Sequence, residues 1–196
     1  MQKIDIRKQK NELRIKSKEY RRNLTAIEKA QMDTAIAQKL FSLKEFVEAH
    51  KILCYMSTDI EVDTKKIIER LFALHKTVAV PRCVDAVGNM DFHCITDFSQ
   101  TEKGTFGVQE PNSDRCPKLS DFANSVCILP GLGFDLKGYR LGYGKGCYDR
   151  FLSLYSGFKI GITFEKCIFN LLPHGYFDIA ADIVVTEKRI IIPKQV

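Results

Sequence analysis

G-L-G-F-D-L-K-G-Y-R-L-G-Y-G-K-G-C-Y-D-R, residues Gly131 to Arg150, holds six of the protein's twelve glycines within sixteen positions. Glycine loses more conformational freedom on folding than any other residue. Such density implies a backbone that takes shapes closed to side chains, or one that approaches a ligand closely. The stretch follows an apolar run, Val126-Cys127-Ile128-Leu129, and leads into Tyr148-Asp149-Arg150-Phe151-Leu152, which reads as a helix. A strand, a glycine loop carrying Arg140 and Lys145, and a helix start predict an anion cradle, because backbone N–H groups and a helix N-terminus direct positive charge at the loop.

Working outward, the same alternation recurs. Ile52–Met56 and Thr77–Pro81 read as buried strands, and Lys159–Phe164, Asp182–Thr186 and Arg189–Ile192 as later ones, the last two joined by a turn. Helices are predicted over residues 4–22, from the capping box Thr25-x-x-Glu28 to about Phe41, over Leu43–His50, from Asp63 or Thr64 to about His75, to about Tyr155, and briefly from Glu165. Met90–Ile95 alternates and predicts an antiparallel excursion, while residues 96–125 read as largely irregular. The pattern is that of an α/β protein: a three-layer single domain, residues 1–196, with a central, mostly parallel sheet flanked by helices. Ligands of such sheets collect beyond the carboxyl ends of the strands. Glu61, in the loop after the first strand, is placed for this, although a surface carboxylate ahead of a helix would look the same. Gly104–Pro111 reads as a binding loop or equally as a connection.

No apolar run approaches the roughly 20 residues that cross a bilayer, and the basic N-terminus lacks a signal peptide's apolar segment. The protein is therefore expected to be cytoplasmic. Seven cysteines form no C-x-x-C and the four histidines no H-x₃₋₅-H pair, which argues against a zinc site or a disulfide framework. The net charge of +6 is local: residues 1–30 hold ten Lys/Arg against four Asp/Glu, and the remainder balances at twenty of each. Lys3, Arg7, Lys10, Arg14, Lys18 and Arg21 form one stripe on the first helix. A solvated charged face and a phosphate contact through Lys10 and Arg14 both fit that spacing.

The glycine loop is neither standard phosphate motif. A Walker pattern ending at Gly144-Lys145 would need glycine at Tyr139 and Ser or Thr at Gly146; G-x-G-x-x-G meets Cys147 or Asp149 where its third glycine belongs. What the loop offers is Arg140 to fork onto phosphate oxygens and Lys145 as a point charge. Asp149 is either a Mg²⁺ carboxylate beside a polyphosphate or a helix N-terminal acid favoured by the macrodipole.

The run Leu129-Pro130-Gly131-Leu132-Gly133-Phe134-Asp135, continued by Gly138-x-Arg140-Leu141-Gly142-x-Gly144-Lys145-Gly146-x-Tyr148-Asp149, resembles the 5-formyltetrahydrofolate cyclo-ligases, also called 5,10-methenyltetrahydrofolate synthetases. Lys10-x₃-Arg14, the loop to Glu61, Val80-Pro81-Arg82, Met90-Asp91, Glu110-Pro111 and Asp182 extend the resemblance over nearly the whole chain. Cys147 departs from it, since the family commonly has an aromatic residue there. The resemblance implies ATP- and Mg²⁺-dependent closure of 5-formyltetrahydrofolate to 5,10-methenyltetrahydrofolate, releasing ADP and phosphate through a phosphorylated formyl intermediate. By the same resemblance, Lys10, Arg14 and the loop residues Arg140, Leu141, Gly142, Tyr143, Gly144, Lys145, Gly146, Cys147 and Tyr148 bind ATP. Lys145 and Arg140 act catalytically, Met56, Glu61 and Tyr148 contact the folate, and Asp149 and Asp182 hold Mg²⁺. Phe106 is added as a stacking residue from its loop. The partners expected are ATP and the folate, polyglutamylated or not, for a monomer that engages neither nucleic acid nor membrane. A phosphate-binding enzyme of sugar phosphates or CoA esters, and an RNA-binding module using the basic helix, are the rival readings. The first helix is expected as the wall opposite the glycine loop.

Overall fold

The computed structural model describes residues 6–104 and 107–193. Its helices are α1 (Ile6–Arg22), α2 (Ala26–Leu40), α3 (Lys44–Glu48), α4 (Lys65–Ala73) and α5 (Cys147–Leu152). The strands of its main sheet are β1 (Lys51–Cys54), β2 (Thr77–Cys83), β3 (Met90–Ile95), β6 (Ser125–Leu129), β9 (Phe158–Ile162), β11 (Ile183–Val185) and the edge strand β12 (Ile190–Ile191). These seven form one sheet in the order β12-β11-β9-β6-β1-β2-β3. The five inner strands are parallel, and β3 and β12 join antiparallel at the two edges. The expected α/β architecture is therefore present, including the antiparallel excursion at Met90–Ile95.

Period-two alternation decides which layer each strand residue joins. Ile52, Cys54, Val78, Val80, Val126, Ile128, Ile160 and Ile162 pack with Ile36, Leu40, Phe46, Ile67, Ile68 and Leu71 of α2, α3 and α4. Their neighbours Leu53, Ala79, Cys127, Leu129 and Val184 face the other way, onto Leu152 and Tyr155 of and after α5. The capping box forms as the sequence predicts: Thr25 Oγ1 accepts from Glu28 N–H, and the Glu28 carboxylate accepts from Thr25 N–H at 2.9 Å.

Two regions differ from the sequence-based expectation. Residues 101–111 are not wholly irregular, since β4 (Thr101–Lys103) and β5 (Gln109–Pro111) pair as an antiparallel ribbon. The glycine stretch is also not one loop. Its first half folds into β7 (Gly133–Asp135) and β8 (Arg140–Leu141), which with β10 (Ile168–Phe169) make a second small sheet. The turn is organised by Asp135, wholly buried, whose Oδ1 accepts from Lys137 and Tyr139 N–H groups, both at 2.9 Å, while Oδ2 accepts from Leu172 N–H at 2.8 Å. Three charge-assisted bonds to backbone donors compensate the burial of that carboxylate. Phe134 then lies directly against Gly161 of β9, where an added Cβ would stand 2.5 Å from the ring. The hairpin thus shares the cover of this face with α5 and carries Arg140 to the cavity at the sheet's carboxyl edge.

Candidate active site

The chain winds from β1 outward to β2, then starts again at β6 and proceeds through β9 to β11. Connections leaving β1 and β6 therefore diverge, which opens a crevice at their carboxyl ends. A cavity of about 590 Å³ lies there, with Tyr55, Met56, Thr58 and Glu61 following β1 and Pro130 following β6. Pro81 and Cys83 of β2, Met90 of β3, and Val108, Gln109 and Glu110 at β5 complete that side. Lys10 and Arg14 of α1, Arg140, Gly142 to Asp149 and Asp178 form the remainder.

The cationic part is built by three elements that touch. Arg14 donates from Nε to the Gly142 carbonyl at 2.8 Å, so α1 is joined to the glycine loop and is not its opposite wall. Gly144 has φ +100°, a left-handed conformation, and a Cβ there would stand 3.4 Å from Arg14 Nη2. Glycine is needed at this position both for its backbone angle and for that approach. Arg140 has a side chain only 5% exposed, and its Nη2 donates to Asp149 Oδ1 at 2.7 Å. Its other terminal nitrogen, Nη1, is buried with no partner among the described residues. A buried, unsatisfied guanidinium nitrogen is costly and suits an anionic acceptor brought in by a ligand.

Opposite in chemistry is the Glu61 group. Glu61 is buried, and its Oε2 accepts from Thr58 N–H and Thr58 Oγ1–H, each at 2.9 Å. Burial, then the Glu61 charge, pushes the Tyr143 hydroxyl up from its ordinary pKa. The Tyr148 hydroxyl is also pushed up, chiefly by burial, and is likewise without a partner among the described residues. Both phenols stay protonated at neutral pH and can donate. Cys83 is raised to about 11 by burial and then by Glu110 and Cys147, so it is a thiol, not a thiolate nucleophile.

The sequence model of the 5-formyltetrahydrofolate cyclo-ligase family matches residues 6–187. The chain belongs to this family. It is 27% identical over 195 residues to the 5-formyltetrahydrofolate cyclo-ligase of Mus musculus, covering 94% of this chain and 96% of that protein. With the enzyme of that name from Escherichia coli strain K12 it shares 29% identity over 177 residues, 88% of this chain and 97% of the other. The structure of Aquifex aeolicus 5,10-methenyltetrahydrofolate synthetase matches with a TM-score of 0.84 at 30% identity, covering 95% of this chain and 94% of that one.

Within this cyclo-ligase fold, the cavity gathers most of the residues singled out in the sequence. Lys10, Arg14, Met56, Glu61, Arg140, Gly142 to Tyr148 and Asp149 all line it. Leu141 does not: its side chain is fully buried against Leu132 and Leu172. Phe106 lies outside the described residues. Asp182, the other carboxylate expected at the metal, does not line the cavity. It stands at the amino end of β11, where its Oδ2 accepts from Lys159 N–H at 2.8 Å and pairs with Lys159 Nζ at 2.9 Å. Lys159 is in register with Cys127, three residues before Pro130, so Asp182 sits roughly 10 Å short of the cavity along the strands. The structure does not bring it to Asp149.

The basic stripe divides as well. Arg21 is 3% exposed and donates to the Gly131 carbonyl at 2.6 Å, Thr163 Oγ1 at 2.9 Å and the Ile60 carbonyl at 3.4 Å. It ties α1 to loops leaving β1, β6 and β9. Lys18 rests over the Tyr143 ring at 5.3 Å. Sequence reasoning missed Asp178, which pairs with Lys10 at 2.8 Å, and Cys83, and it took Glu110 only as part of a candidate binding loop and of the family resemblance. For Asp178 no local signal existed, because its partner is 168 residues away.

Proposed function

We propose that this cavity binds 5-formyltetrahydrofolate and ATP side by side and closes the folate to 5,10-methenyltetrahydrofolate, releasing ADP and phosphate. The observation that carries this reading is the buried Arg140 Nη1, unsatisfied in a cavity shared with Lys10, Arg14 and Lys145. Triphosphate at this cationic end supplies the acceptors Arg140 lacks. The Glu61 end, with Tyr143 and Met56 beside it, suits a flat heterocycle bearing N–H donors.

The reaction needs little covalent participation from the protein. The formyl oxygen attacks the γ-phosphorus as the bond to ADP breaks; N10 then attacks the activated formyl carbon and gives up its proton to water, and phosphate leaves with the former formyl oxygen. Catalysis is positioning plus stabilisation of charge on the transferring group. Lys145 and Arg140 supply that charge, Lys10 and Arg14 hold the rest of the triphosphate, and the Tyr148 hydroxyl donates to a substrate oxygen.

Among the described residues no three His, Cys, Asp or Glu side chains are grouped to hold a metal. That composition does not fit a resident metal centre. It does fit Mg²⁺ that arrives with ATP, because this ion keeps most of its waters and takes one or two carboxylates. Asp149 is the carboxylate of the glycine loop in reach. Asp149→Asn is expected to raise the Mg²⁺ concentration for half-maximal rate several-fold, whereas Asp182→Asn leaves it unchanged; equal responses in the two variants would reject the assignment.

The direct test mixes the protein with 5-formyltetrahydrofolate, ATP and Mg²⁺ and follows the methenyl product by absorbance. Product that does not require ATP, or no product at all, sinks the proposal.

A further inference from the structure

Lys145 stands between two glycines whose backbone lies in the left-handed region, Gly144 at φ +100° and Gly146 at φ +71°. By themselves such flanks leave the residue between them a wide range of directions. Two arginines from different helices oppose that freedom. Arg14 of α1 holds the loop ahead of Lys145, donating from Nε to the Gly142 carbonyl at 2.8 Å. Arg150 of α5 holds Lys145 itself. Its Nη2 donates to the Lys145 carbonyl at 2.9 Å and to the Val87 carbonyl at 2.6 Å.

Val87 belongs to the turn between β2 and β3, and that turn is fastened by its own side chains. Asp85 Oδ1 accepts from the Gly88 and Asn89 N–H groups at 2.8 and 2.9 Å, and its Oδ2 accepts from Asn89 Nδ2 at 2.7 Å. Val84 N–H closes onto the Asn89 carbonyl at 2.9 Å. The two strands below the turn stay paired from Cys83–Met90 down to Val78–Ile95, which gives it a firm base. The Arg150 guanidinium is clasped between this turn and the glycine loop. A Cβ at Gly88, where φ is +93°, would stand 2.7 Å from Arg150 Nη2 and 2.8 Å from Cys147 Sγ; one at Gly146 would stand 2.9 Å from Nη1. Only glycine admits so close an approach at either position.

Local energetics do not call for this arrangement. Arg150 folds back toward the amino end of its own helix, the end at which the helix dipole disfavours a cation. Its Nε is buried without a partner among the described residues, a cost that an arginine extended into water would not carry. What the contact achieves is geometric, since it couples the backbone at Lys145 to the edge of the main sheet.

We propose that Arg150, seated on the β2–β3 turn, is a positioning residue for Lys145: it fixes the direction in which the glycine loop presents the Lys145 side chain to the transferring phosphoryl group. The proposal rests on the catalytic reading of Lys145 given above. A charge lowers a barrier only as far as it is already in place, and a displacement of about 1 Å costs up to about a hundredfold in rate. In that reading Lys10 and Arg14 hold the rest of the triphosphate. Loosening Lys145 therefore lowers kcat and leaves nucleotide affinity nearly unchanged.

Arg150→Met keeps an unbranched stem and removes the donors. Rates at saturating ATP and folate, and ATP affinity by calorimetry, are measured for this variant, for Lys145→Ala and for the two combined. Arg150→Met is expected to lower kcat about ten- to a hundredfold, with the ATP dissociation constant within about threefold. Added to Lys145→Ala, it should cost less than about twofold more, because a residue that acts through Lys145 has nothing left to position. Arg150→Lys still brings a charged donor to one carbonyl and should recover part of the loss. Gly88→Ala, which pushes into the guanidinium while leaving Arg150 in the chain, should reproduce the pattern and serves as the second variant if Arg150→Met does not fold. Near-normal kcat in these variants, or a loss of equal size with and without Lys145, overturns the proposal while leaving the Lys145 reading intact, provided Lys145→Ala alone is impaired. Near-normal turnover in Lys145→Ala alone, or no product from the unmodified protein, overturns that reading and this inference together.

Discussion

Lys145→Ala is expected to lower kcat/KM by about two to three orders of magnitude, the usual loss when one preorganised charge is removed from a transferring group. The fold should be indifferent to the change. Lys145 sits between Gly144 and Gly146 on an exposed loop, after the hairpin has closed and before α5 begins. Its backbone carbonyl accepts from Arg150 at 2.9 Å, a bond that alanine retains. The melting temperature should therefore stay within a few degrees, as for a surface substitution of at most about 0.5 kcal/mol. The informative comparison is with ATP affinity. If Lys145 acts mainly on the transferring phosphoryl group, kcat falls much more than nucleotide binding does. Near-normal turnover would show that the charge is supplied elsewhere, with Arg140 the next residue to replace.

Arg21→Ala should do the reverse: a large loss of stability with the site chemistry retained. Truncation removes donors from the Gly131 carbonyl and from Thr163 Oγ1, both at buried positions, and the Arg21 guanidinium also packs over the Phe164 ring at 5.4 Å. Buried acceptors left without donors cost about 1–3 kcal/mol each, so a total of roughly 2–4 kcal/mol is expected. For a protein of this size that corresponds to a melting temperature lower by roughly 5–15 °C. Well below that temperature, kcat/KM per folded molecule should stay within about tenfold of the unmodified protein. A melting temperature that barely moves, together with a hundredfold loss of rate, would mean that Arg21 belongs to the site and does not fasten α1.

These two residues share a chemical type and nearly share a helix face with Lys10 and Arg14 or a loop with Arg140, yet their roles diverge. At about 100° per residue, Arg14 and Arg21 project within roughly 20° of each other. Periodicity could therefore collect the stripe but could not divide it. The division depends on how α1 lies on the sheet. Its last turn sits on loops that leave β1, β6 and β9, which buries Arg21, while its first turns border the cavity. That choice is made by Leu13 against Leu132, Leu141 and Leu172, and by Tyr20 against the α2 side of the core, none of them neighbours in sequence.

Glycines divide in the same way. Gly144 serves the loop that meets Arg14, whereas Gly133 lies against the Cys167 carbonyl, 2.5 Å from where a Cβ would be. The dense run announced close approach correctly. It did not say whether the approaching group was a ligand or the protein's own β10.

From sequence alone came what is encoded over short distances: the alternation that makes a parallel sheet, the capping box at Thr25, the antiparallel edge at Met90–Ile95, and a glycine loop that fits neither standard phosphate motif. The long run from Leu129 to Asp149 also carried the family resemblance, since its residue types and spacing are set together. The tertiary structure alone decided that Asp182 pairs with Lys159 away from the cavity, that the Leu141 side chain is buried, that Asp178 sits on Lys10, and that α1 adjoins the glycine loop. Each is a contact between segments far apart in the chain, fixed by strand order and by how the layers dock. A local pattern specifies which groups a segment can present; only packing specifies what stands in front of them.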